Sequence, residues 1–145
     1  MKARLFLTGI LMLTVVLTAS TYANVSPSSK TNTYETIEQN RLIGLSEDNE
    51  GLRVSAAFNL GEMKSQKAVL PLMKLLKDGK TEEEKIIAAL SLIKIGDSQG
   101  VFLVSRAAQF QESARVRRVC EKFYNGYLLQ KASELKTSEM QVASN

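Results

Sequence analysis

The sequence repeats itself with a step of 32 residues, and that step limits the chain to one kind of architecture. Arg53, Ala56, Leu60 and Met63 return as Lys85, Ala88, Leu92 and Ile95, and one step later as Arg117, Cys120, Tyr124 and Tyr127. Within each set the spacing is helical, so a basic, a small and two larger residues share one helix face three times over. A helical repeat of this length builds a stack of helix pairs in which each unit touches only its neighbours. Such stacks usually bind other macromolecules and seldom catalyse.

The pattern predicts a first helix from Tyr34 with Ile37, Leu42, Ile43 and Leu45, a second over about 52–63 and a third over 68–77. Pro71 falls near the start of the third, where a missing N–H is tolerated. Gly79 suits a left-handed helix end. Thr81 and Glu84 then form a capping box opening a fourth helix that runs to Ile95. The acids Glu82, Glu83 and Glu84 are explained by that helix start, where negative charge meets the positive end of the dipole, rather than by a metal site. Apolar on almost all sides, the fourth helix must be covered by more than one neighbour. A fifth helix covers 101–110. A sixth starts near Ser113 with an apolar stripe of Val116, Val119, Cys120, Phe123, Tyr124, Tyr127 and Leu128.

The N-terminus reads differently. A positive start at Lys2 and Arg4, an apolar run over 5–18 and the small residues of Thr21-Tyr22-Ala23 are the three parts of a secretory signal peptide. The alternative, an uncleaved anchor, needs roughly 20 apolar residues to span a bilayer, more than this run supplies. The expected organisation is therefore a signal peptide at 1–23, a flexible Ser- and Thr-rich leader at 24–33, a repeat domain at 34–135 and a disordered polar tail at 136–145. The chain is expected to be exported, periplasmic or secreted, with membrane contact only through the signal before cleavage.

Composition narrows the function. Losing Lys2 and Arg4 with the signal lowers the net charge from +4 to +2, with the signs interspersed, which is no footprint for nucleic acid. The chain has no His, removing the commonest general base and transition-metal ligand. No phosphate loop, nucleophile elbow or Cys pair is present. Cys120 is the single cysteine and occupies the position of Ala56 and Ala88, so a buried small side chain is expected. No catalytic residue, metal or cofactor is implied, and the chain is not expected to be an enzyme.

The segments 53–63 and 85–96, with their basic residue, paired Ala and Leu-Gly or Leu-Ile, resemble HEAT repeats. Together with the 68–78 helix Ala-Val-Leu-Pro-Leu-Met-Lys-Leu-Leu-Lys-Asp, they look most like the short bacterial variety first noted in phycobilisome lyases. The resemblance covers about residues 34–128. Ile93 departs from it where Gly61 stands, and 121–123 lacks the expected small residues. It implies an all-α fold, a short right-handed α-solenoid of about five to six helices, and a scaffold that recruits another protein or peptide. Chromophore attachment, as in lyase-type members, is not expected of generic scaffold repeats in an exported chain.

Two surfaces are candidates for partners. On the second helix of each pair, Leu70 and Phe102, Lys74 and Arg106, and Lys77 and Gln109 occupy matching positions, an apolar residue beside a basic one, fit for an acidic or amphipathic segment. The competing reading places Leu70 and Phe102 in the core. The basic series at 53, 85 and 117 is expected to form a structural ladder rather than a ligand site. The last helix carries more apolar surface than one inward stripe needs, and Phe123, Tyr124, Tyr127 and Leu128 are candidates for self-association as a homodimer, unless the tail folds back as a cap. The expected function is an exported, non-catalytic interaction module or accessory subunit, the alternative a self-assembling structural envelope protein.

Overall fold

The computed structural model describes residues 30–143. The expected signal peptide at 1–23 and the expected leader as far as residue 29 lie outside the described residues. The chain divides into two compact units, 1–34 and 35–145. Of the first, the described part is the opening turn of helix α1 (Lys30–Gly44); the second holds everything below.

Helix α1 begins four residues before the predicted Tyr34, because the four free N–H groups of a first turn accommodate polar residues. It is followed by α2 (Glu50–Glu62), a 3₁₀ turn at Gln66–Ala68, α3 (Val69–Asp78), α4 (Glu82–Ile95), α5 (Ser98–Phe110) and α6 (Ala114–Ala143). The first helices of successive pairs, α2, α4 and α6, stack in that order, and the second helices α3 and α5 lie beside one another. Helix α4 touches α2, α3, α5 and α6, which is why its apolar residues run all the way round. The core is a continuous layer through the stack, with Leu60, Leu72, Leu92, Val104, Val116 and Cys120 fully buried.

The stack is held by ties that recur with the sequence step. The N-caps Asn49, Thr81 and Ser113 stand 32 residues apart. The Thr81 hydroxyl donates to Glu50 at the start of α2 at 2.7 Å, and the Ser113 hydroxyl donates to Glu82 at the start of α4, Glu50's equivalent. Each cap oxygen also accepts a backbone N–H of its own first turn. Arg53 donates to the backbone carbonyl of Glu47, and Arg117 makes the equivalent bond to Gln111. The basic series is thus a structural ladder at Arg53 and Arg117. Lys85 is half-buried between them.

Several expectations are corrected. Gly79 is not left-handed, with φ −53°; the left-handed positions are Gly96 at φ 76° and its equivalent Lys64 at φ 51°. At Gly79 the chain leaves in extended form because the Lys80 N–H is drawn to the Glu84 carboxylate at 2.7 Å. The tail expected to be disordered from residue 136 is helical to Ala143. Lys136, Glu139, Met140 and Gln141 are good helix formers, and just before them Lys131 pairs with Glu134 at 2.8 Å. From Leu128 to Gln141 every side chain of this helix is exposed.

Candidate functional site

On α3, Leu70, Lys74 and Lys77 follow i, i+4, i+7 spacing and form one ridge. Phe102, Arg106 and Gln109 form the equivalent ridge on α5. Leu70 and Phe102 are 69% and 64% exposed, so neither belongs to the core, contrary to the competing reading. Each sits a full turn before the basic residue, on the exposed side of its helix. Lys74, Lys77 and Arg106 are likewise exposed.

Two clefts run along these ridges. The first, about 340 Å³, has Pro71, Lys74, Leu75 and Asp78 on the α3 side and the Arg53–Glu84 pair on its floor. The second, about 140 Å³, lies between α3 and α5, with Lys77 on one wall and Leu103, Arg106, Ala107 and Phe110 on the other. The walls correspond under the 32-residue step: Pro71, Lys74, Leu75 and Asp78 become Leu103, Arg106, Ala107 and Phe110. The second cleft is smaller because Gln111, standing where the first has Gly79, donates its side-chain amide across the bottom to the Leu76 carbonyl at 2.9 Å.

The charge around the clefts is lopsided. Lys74, Lys77, Lys80 and Arg106 face solvent with Asp78 as the exposed acid among the lining residues. Glu84 is consumed below: Arg53 Nε donates to it at 2.7 Å and a second guanidinium nitrogen donates to the same oxygen. Burial pushes the Glu84 carboxyl up, but the bonds from Arg53 and from the Lys80 and Thr81 backbone outweigh it and hold the group below its ordinary value. Arg106 stacks over the Phe110 ring at 4.2 Å, presenting a flat cation on an aromatic that is itself 64% exposed.

Phe110 is the site residue that sequence reasoning missed. Its signal was the repeat itself, since it replaces Asp78 and so exchanges a charge for a ring at a solvent-facing position. The structure brings Lys77 and Arg106 to one cleft and puts Lys74 at the other, while Leu70 and Phe102 lie outside both linings.

The acidic run at 82–84 is divided among structural partners: Glu82 and Glu83 pair with Arg115, and Glu84 with Arg53. Among the described residues no cluster of His, Cys, Asp or Glu could hold a metal ion. Cys120 is fully buried, and burial pushes its thiol up to about 11, far from a reactive thiolate. Of the residues proposed for self-association, Phe123 and Tyr124 pack against the core and Tyr127 is half-buried. Leu128 is 46% exposed and begins an outward series with Leu129, Leu135 and Met140.

The family model of the PBS lyase HEAT-like repeat matches residues 52–78, which is the α2–α3 pair. No curated protein matches the chain. The α2–α3 pair is thus similar to a HEAT-like repeat, and its 32-residue echo in α4–α5 continues that pattern through a short helical solenoid.

Proposed function

We propose that this chain is an exported, non-catalytic interaction module that captures an acidic segment of a partner protein on the α3/α5 face. The observation that carries the reading is the exposure of Leu70, Phe102 and Phe110 beside Lys74, Lys77 and Arg106 on two stacked helices. Exposed apolar groups in a basic field supply both anchors and steering, the combination that seats an acidic, apolar-bearing chain. HEAT-like repeats serve generally as interaction scaffolds, which agrees. The non-catalytic reading is supported by the full burial of Cys120, the single cysteine.

Crosslinking in the native envelope, followed by mass spectrometry, identifies the partner. The double variant Lys74→Glu, Arg106→Glu is expected to lose that crosslink while its helicity is unchanged. Retention of the full crosslink yield at low and moderate salt would move the site elsewhere. Export rests on the tripartite N-terminus. The mature protein is expected to begin at Asn24, and an intact mass that still includes residues 1–23 would replace export with anchoring.

A second reading, self-assembly, is supported by the outward apolar series on the last part of α6. It uses a surface separate from the α3/α5 clefts, so the two readings are compatible.

A further inference from the structure

The two clefts are one feature displayed twice. Their basic residues, Lys74 and Arg106, and their apolar walls, Pro71 with Leu75 and Leu103 with Ala107, are related by the repeat step. The clefts are therefore offset by one repeat. Packed helices lie about 8–10 Å apart, which sets the distance from one cleft to the next. An extended chain in the polyproline II conformation rises about 3.1 Å per residue with three residues per turn, so its side chains at i and i+3 point the same way about 9 Å apart. A chain crossing α3 and α5 at right angles thus meets equivalent clefts at every third residue.

Resting on the reading of this face as a partner site, we infer that the occupant is an extended acidic peptide with an apolar side chain at every third position. One apolar residue enters the cleft of about 340 Å³ and the next enters the cleft of about 140 Å³. The first has room for a large side chain; the second, closed below by Gln111, takes a smaller one. Acidic neighbours meet Lys74 at one cleft, and Lys77 with Arg106 at the other. Charge complementarity selects this occupant: among the residues lining the two clefts, one exposed acid, Asp78, stands with four exposed cations.

The test uses synthetic peptides against the mature protein, read by fluorescence anisotropy at low salt. One repeats aspartate-leucine-serine; a second has the same composition with its leucines four apart; a third carries a single leucine. The three-residue spacing is expected to bind about tenfold tighter than either control, because the second cleft is then filled intramolecularly. Lys74→Glu and Arg106→Glu should each erase that advantage, since each disables one cleft. Equal binding by both spacings, still sensitive to charge reversal, keeps the face and overturns its periodic use. Absence of binding by all three, with unchanged circular dichroism, overturns the α3/α5 face itself.

Discussion

At the scale of single residues, small side chains and buried charge set how closely helices meet. A Cβ on Gly61 would lie 2.8 Å from Ser91, so α2 and α4 touch there almost backbone to backbone, and the Ser91 hydroxyl donates to the Ala57 carbonyl at 2.8 Å. One repeat later Ile93 replaces Gly61 and Phe123 faces α4 from α6, so the same seam is filled with side chains instead. The other pin is Arg53–Glu84, both nearly inaccessible. Glu84→Gln would leave the guanidinium without its counter-charge and is expected to cost about 3 kcal/mol at neutral pH. Because the native carboxyl is held below its ordinary value of 4.5, its contribution is complete above that pH and drains as pH falls through the lowered native value. Urea melts between neutrality and acid check both statements. A Gln variant that matches the wild type at pH 7 would remove the pair from the stability argument. The spacing of Arg53 was legible in the sequence, but its partner was not: Glu84 lies one residue off the repeat position, and Val116 and Leu52 are its equivalents.

At the scale of elements, α6 has two parts. Up to Tyr127 it behaves as the third stacked helix, with Val116 and Cys120 buried and Phe123 and Tyr124 against the core. Beyond that it extends past the length of α2 and α4 and exposes Leu128, Leu129, Leu135 and Met140. An isolated helix of this length is marginal in water, so the extension depends on continuity with the packed part and gains from any surface that covers its leucines. Truncation after Lys131 is expected to leave the melting temperature within about 2 °C, since every residue from 132 to 141 is exposed. If the extension mediates self-association, light scattering over a dilution series should show dimers for the full mature chain and monomers for the truncated one. A full-length chain that stays monomeric at high micromolar concentration would sink the self-association reading. The apolar excess of α6 was visible in the sequence; its division into an inward and an outward part was not. The apolar stripe ends at Leu128 and only scattered apolar residues follow, while the neighbouring helices simply end.

At the scale of the whole molecule, stability passes through α4. It alone among the described helices touches both helices of the pair before it and both helices that follow. Ala88 on α4 is fully buried, and Ala88→Asp would place an unpaired charge there at a cost of several kcal/mol, on the order of 4. The expected result is loss of the whole transition in a thermal melt; a variant melting within a few degrees of the wild type would refute this packing. The sequence by itself determined the architecture, since a 32-residue helical step with small residues in register permits little except stacked pairs. It also placed helices α2 to α5 to within a few residues and marked Cys120 and the ladder as structural. Only the tertiary structure decided whether Leu70 and Phe102 are core or surface. Periodicity reports that a residue recurs on a helix face, and a solenoid helix has neighbours on some faces and water on others. Which face meets water depends on how far the pairs approach one another, and that distance is set jointly by Gly61, Ser91, Ile93 and Gln111, residues far apart in the chain.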